Sequence, residues 1–360
     1  MATVRVDGDI LKAAVYGGSV LGGGGGGKIE DGLQRGLLAL KRANIKIIDI
    51  DDIDPFSVLL TVSSVGAPAA RNRYLEPDYY VRSVEILLNN IDFSIDGFIS
   101  SENGAASTVN GWLQSAAMGI PIVDAPCNGR AHPIGAMGSM GLGQSSNYIS
   151  QQAVVGGSRE KGTYIELYTQ CSLHNAEEVV RRTANLAGGV VALARNPVSA
   201  RFVRENAAPG AIKYAIRIGN AMLSRKESPE RMIRDVASLM GGDIIGPAEV
   251  EKVQLETIDA LDVGKVALKS EREEYEIIFL NEYLTLESRG KRIMTFPDLI
   301  TTMDVKTGLP ICSAELREGH KVAILTVHRS KLLLGRGIFL PQFYTILEEY
   351  TQKDLIKYCS

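Results

Sequence analysis

The chain is poor in the features that mark a specialised surface or environment. Its 360 residues contain four cysteines and one tryptophan, and aromatics make up only 6%. Four scattered cysteines (Cys127, Cys171, Cys312 and Cys359) are too few for a disulfide framework and fit a reducing, cytoplasmic setting. A basic surplus is also missing. Lys and Arg number 39 against 42 Asp and Glu, a net charge of −3, so the footprint of a nucleic-acid binder is absent. No run reaches the roughly 18 apolar residues that a membrane span needs. Residues 1–11 alternate charged and apolar groups, which is not a signal-peptide pattern. No internal repeat of fixed period is visible.

What is present is an ordinary globular balance, 45% hydrophobic and 22% charged, in a chain long enough for two domains. From residue 10 to 241 helical and strand patterns alternate. Helices are predicted over 10–16 (with Asp7 or Asp9 as N-cap), 30–42, 78–89, 107–118, 176–187, 197–205, 211–225 and 229–240. Asn175 with Glu178 reads as a capping box, and Ser228 and Gly241 bracket the last of these helices. Strands are predicted over 45–50, 58–65, 97–100 and 120–123, and a hairpin over 148–171. The fold class is therefore α/β: a three-layer domain with a parallel sheet, spanning 1–241 and 335–360. Residues 242–334, rich in short Val, Ile, Thr and Leu runs, predict a second, β-rich domain. A final helix over 341–357 is expected to pack back on the first domain. In a parallel sheet the loops at the strands' carboxyl ends share one edge, where ligands bind. Loops 63–66, 102–104 and 124–130 are thus expected to converge.

Three groups of residues could carry chemistry. The glycine run 22–27 leaves Gly23, Gly24, Gly25 and Gly26 with bare backbone N–H groups before a helix, a setting for an anionic ligand group. It is not a P-loop, because Lys28 precedes Ile29 and a helix precedes the glycines. A tight helix-to-helix turn is the plainer explanation, though such a turn needs fewer glycines. Next, Asp124, Cys127, Asn128, Arg130 and His132 crowd a strand end. Positive charge or a base beside Cys127 would make it a nucleophile, with Asp124 or His132 moving protons and Arg130 holding negative charge. The alternative is an inert buried thiol with Arg130 paired to Asp124. Last, Glu102 and Asn103 could orient a cyclic amide, or merely cap a helix. Cys127, His132, Cys171 and His174 could be assembled into a zinc site only with non-standard spacing, so no metal and no other cofactor is expected. His320 and His328 read as ordinary residues of the β region, and Trp112 as core.

Several stretches together resemble the S-methyl thiohydantoin desulfurase family, whose members occur with hydantoinase/oxoprolinase-type proteins. They are Gly17-Gly18-Ser19-Val20-Leu21 with the glycines after it, Val65-Gly66-Ala67-Pro68, Ser101-Glu102-Asn103-Gly104-Ala105, Val123-Asp124-Ala125 with Gly129-Arg130-Ala131, Pro297-Asp298-Leu299-Ile300, and Thr307-Gly308-Leu309-Pro310-Ile311. The order matches along nearly the whole chain. One departure stands out: members commonly carry Asp-Gly-Met before Gly-Arg-Ala and Phe after it, where this chain has Pro126-Cys127-Asn128 and His132. The resemblance implies a three-layer α/β domain with a β-rich domain. It also implies removal of a methylthio group from a five-membered ring, giving a hydantoin and methanethiol. The resulting expectation is a small-molecule enzyme. Cys127, Asp124 and His132 are its catalytic candidates, and Gly23–Gly26, Glu102, Asn103, Asn128 and Arg130 bind substrate. Alternatives are a non-catalytic ligand-binding partner of a hydantoinase-type assembly, and a metal-dependent cyclic amide hydrolase. Partners are a small-molecule substrate, with neither nucleic acid nor membrane. A second copy or a hydantoinase-type protein stays open.

Overall fold

The structure, a computed structural model, describes residues 3–358; Cys359 lies outside them. The first part of the chain runs β1 (Val4–Arg5), α1 (Gly8–Leu21), α2 (Ile29–Arg42), β2 (Lys46–Ile48), β3 (Val58–Gly66), α3 (Pro77–Leu88), β4 (Gly97–Ser100), α4 (Trp112–Met118), β5 (Ile122–Val123), β6 (Ile149–Gly156), β7 (Ile165–Ser172), α5 (Leu173–Leu186), β8 (Val190–Ser199), α6 (Ala200–Asn206), α7 (Ala211–Leu223) and α8 (Pro229–Met240). Its strands form one sheet in the order β1-β2-β5-β4-β3-β8-β6-β7. Alternating side chains explain the layers. Leu60, Val62, Phe98 and Ile122 face one cluster with α1 to α4, while Leu59, Ile99 and Val123 face another that includes Ala200 and Val203 of α6. Helices therefore cover both faces.

The α/β expectation holds, but the sheet is mixed. Only β2, β5, β4 and β3 are mutually parallel; β8, β6 and β7 extend the sheet antiparallel. Strand β8 replaces the start of the helix expected over 197–205. Val198 and Ser199 pair with Leu59 and Val58 of β3, so sheet pairing keeps this stretch extended and α6 starts only at Ala200. Helix α1 runs past Tyr16 through Gly17, where a Cβ would sit 1.7 Å from the Ala215 carbonyl oxygen, so glycine lets α1 lie on α7. The N-cap of α5 is Ser172, not Asn175; its hydroxyl accepts from the Asn175 N–H.

The second part comprises β9 (Asp243–Ile258), β10 (Leu261–Lys269), β11 (Glu274–Leu280), β12 (Glu282–Ser288), β13 (Lys291–Thr295), β14 (Leu299–Asp304), β15 (Lys321–Val327) and α9 (Pro341–Thr351). Its antiparallel sheet has the order β13-β12-β11-β10-β9-β15-β14, and β14 also approaches β12 and β13, so the sheet curls. Helix α9 does not return to the first sheet. It rests on β10 and β11, where Tyr344 and Leu347 share a cluster with Leu280, Leu284 and Phe296 and also meet Ile134 and Met137. The two parts thus pack intimately. Among the described residues no helix is long and apolar enough to cross a membrane.

Candidate active site

A cavity of about 1020 Å³ opens between the first sheet's strand ends and the second sheet, at the upper end of the roughly 300–1,000 Å³ usual for small-molecule sites. Two of the three segments expected to converge reach it, Ser63–Gly66, which is the end of β3 and not a loop, and Ser101–Glu102 after β4. The third, 124–130, does not reach it; the chain joins the lining only from His132 onward. Added to them are Arg195 of β8, Glu177 of α5, and Asn281 and Glu282 from the second sheet.

Polar groups meet at the buried end. Ser101 is 4% exposed, His132 7%, Arg195 1% and Glu282 2%. The His132 Nδ1 lies 2.9 Å from the Ile134 carbonyl oxygen. A carbonyl only accepts, so Nδ1 carries the proton in this arrangement. Burial lowers the His132 pKa despite the opposing pull of Glu102, which favours the neutral ring. Nε2 then carries the lone pair, 3.4 Å from the Ser101 Oγ and 3.4 Å from the Glu102 Oε2. Arg195 Nη2 donates to that same Oγ at 3.0 Å, so the serine proton is directed at the imidazole. Arg195 is fixed by Glu177 at 2.6 Å and by the Gly135 carbonyl at 2.9 Å. Glu102 accepts from the Ser107 hydroxyl at 2.8 Å and the His132 backbone N–H at 3.0 Å. The result is a directional relay, Arg195 to Ser101 to His132, in the form of an activated nucleophile and its base.

Of the catalytic and substrate-binding candidates, His132, Glu102 and Gly26 line this cavity, and the others do not. Cys127 is fully buried among Leu59, Ile99, Val123 and Ala200, its Sγ 3.4 Å from the Thr61 hydroxyl. Burial pushes its pKa up to about 11, the opposite of an activated thiol. Asp124 caps α7, accepting from the Ile212 N–H at 2.7 Å and the Lys213 N–H at 3.3 Å. Burial raises its pKa to about 6, and it does not pair with Arg130. Asn103 donates to the Ala211 carbonyl at 2.8 Å, and Asn128 donates to the Met137 carbonyl while accepting from the Gly335 N–H. Arg130 donates to the Pro297 and Asp298 carbonyls and lies over the Phe296 ring; burial lowers its pKa to about 10. Arg130, through Pro297 and Asp298, ties the loop to the second part, and Asn128 ties it to the chain that follows β15; none of these side chains lines the cavity.

The glycine run has the same structural purpose. A Cβ at Gly24 would meet the Tyr283 ring at 2.9 Å, where φ is +93°, and the Gly23 and Gly24 carbonyls accept from the Tyr283 and Ser313 N–H groups. Gly23 to Gly25 thus form a close crossing beneath the second sheet, not an anion cradle. The zinc grouping also dissolves: Cys127 lies in its apolar cluster, away from His132 and His174 on the cavity. Among the described residues no three or more His, Cys, Asp or Glu side chains are grouped to hold a metal ion. Replacing Cys127 with alanine is expected to leave kcat unchanged within about twofold while lowering stability by about 1–2 kcal/mol, read by turnover and urea unfolding.

Ser101, Arg195, Glu177 and Glu282 were not singled out in the sequence. Ser101 had a signal, as it directly follows a strand in a recognised stretch. The others had none that local pattern could show.

Two family models match the chain: S-Me-THD-like, N-terminal domain, over residues 9–159, and S-Me-THD-like, C-terminal domain, over residues 171–338. Among solved structures, the crystal structure of a protein from Chromobacterium violaceum is similar, at 19% identity, a TM-score of 0.73 and 96% coverage of both chains. That likeness is one of fold. No curated protein matches the chain.

Proposed function

The chain belongs to the S-Me-THD-like family over both of its domains, and on that premise we propose that it is an enzyme that removes the methylthio group from an S-methyl thiohydantoin ring. The observation that carries this reading is the Arg195–Ser101–His132 relay at the buried end of the cavity. Ser101 Oγ bonds to the ring carbon that holds sulfur as its proton passes to His132 Nε2. The carbon–sulfur bond breaks, and the leaving thiolate takes that proton and departs as methanethiol. Water then adds to the same carbon, the Oγ–carbon bond breaks, Ser101 regains its proton, and the ring carbonyl of a hydantoin forms. Arg195, donating to Oγ, stabilises negative charge there as it develops.

The cavity is larger than a bare five-membered ring requires. Leu38, Tyr80, Phe343 and Ile346 line it as well, which suits a ring with a bulky apolar substituent. The test is turnover of a panel of 5-substituted S-methyl thiohydantoins, followed by thiol release and hydantoin formation. Bulky members are expected to react, and binding of the panel with no thiol released would replace this reading by a ligand-binding one. His132 must be neutral to accept the serine proton, and its pKa lies below the ordinary value near 6.5. The rate is therefore expected to stay level through neutral pH and fall only as pH drops through that lowered value. A rate that rises as the imidazole becomes protonated contradicts its role as base.

A further inference from the structure

We propose that Glu282 is the specificity-determining residue of this cavity, its carboxylic acid group meeting the N–H and C=O edge of a cyclic amide ring with one donor and one acceptor. The inference rests on the reading above that the cavity takes such a ring. Glu282 is the first residue of β12 and comes from the second sheet, yet it lines the cavity beside residues of the first. It is 2% exposed, and its Oε2 has no hydrogen-bond partner among the described residues. A buried carboxyl oxygen left without a partner is costly unless a ligand supplies one. The other side of the carboxyl is hemmed in: the Gly26 backbone lies near enough to favour its charged form, and a Cβ at Gly25 would lie 1.9 Å from Oε1. Only glycine at position 25 leaves that oxygen its place.

The protonation state follows from the surroundings. Burial, with the Glu102 carboxylate second, raises the Glu282 pKa well above its ordinary value, and the Arg130 guanidinium only partly offsets them. Glu102 comes from the loop after β4 and Arg130 from the loop after β5; His132, Arg195 and Glu177 share the cavity. A neutral carboxyl presents O–H and C=O together, the complement of a ring N–H beside a ring C=O. A carboxylate has no donor and leaves the ring carbonyl unpaired.

The test is calorimetric binding of hydantoin, the ring without the reacting sulfur, to the wild-type chain and to Glu282→Gln and Glu282→Leu, between about pH 5 and about pH 10. Wild-type affinity is expected to fall as pH rises through the raised pKa, approaching tenfold per pH unit above it, because one bound proton is required. Glu282→Gln keeps a donor and an acceptor in the same shape, so it is expected to bind hydantoin with no pH dependence. Glu282→Leu is expected to bind at least about tenfold more weakly. An unchanged affinity in Glu282→Leu, or the same pH response in Glu282→Gln as in wild type, overturns the proposal. Should Glu282→Leu fail to fold, the Glu282→Gln comparison decides. Failure of the wild-type chain to bind any hydantoin overturns the ring reading itself, a separate outcome.

Discussion

Ser101→Ala is expected to lower kcat on an S-methyl thiohydantoin by at least about 10³-fold while KM changes by less than about threefold. The serine hydroxyl is small and sits in the middle of the relay, so its removal takes away the proposed attacking atom and little of the cavity wall. The framework should stand. Arg195 keeps the Glu177 carboxylate and the Gly135 carbonyl, and His132 keeps Ile134, so neither is left without a partner. Thermal stability is expected to shift little, as the relay bond to His132 is long at 3.4 Å. His132→Asn is expected to reduce kcat by a similar factor. The double variant is expected to be no slower than either single one, because nucleophile and base act as one unit. Multiplicative losses in the double variant, or a Ser101→Ala enzyme at wild-type rate, remove the serine from the chemistry. A residual rate that still depends on His132 would instead assign attack to a water activated by the imidazole.

Local sequence does not separate strand-end chemistry from strand-end structure in the loop that follows β5. Cys127, Asn128 and Arg130 lie within a few residues of His132, and local proximity suggested one site. The loop from Asp124 to Ala131 is wholly buried, however, and successive side chains leave it in different directions. Asp124 reaches the start of α7, Cys127 reaches Thr61, Asn128 reaches Gly335, and Arg130 reaches Pro297. Side-chain direction in an irregular loop has no period, so no sequence pattern encodes it. The glycine run misled for a related reason. Bare amides suit an anion, but glycine also suits a backbone pressed against another chain segment, and only Tyr283 and Glu282 of the second sheet distinguish the two. Elements with a strong period fared better: α3, α7 and α8 and the strands at 58, 97 and 149 lie close to where alternation and helical spacing put them. Glu282 and Arg195 belong to the site through contacts between distant parts of the chain, and nothing adjacent to them in sequence announces it.

Arg195 links this site to the stability of the fold, and its replacement by methionine is the second large effect expected. The guanidinium is 1% exposed and satisfies three partners at once: Glu177, Gly135 and Ser101. Methionine fills much of the same volume without a donor, so the Glu177 carboxylate, itself only 14% exposed, loses its counter-charge. Breaking one side of a buried ion pair typically costs about 3–5 kcal/mol, which urea unfolding will resolve. Glu177→Gln in the same chain removes the stranded charge, so the double variant is expected to recover about 1–3 kcal/mol relative to the sum of the single changes. Activity is expected to respond differently. Arg195 touches the serine oxygen and Glu177 does not, so Arg195→Met should lose turnover in both backgrounds while stability is partly restored in the second. Such a split separates the two tasks of one side chain: holding β8 to α5, and orienting Ser101 toward His132. Recovery of turnover together with stability would instead reduce Arg195 to a structural tie.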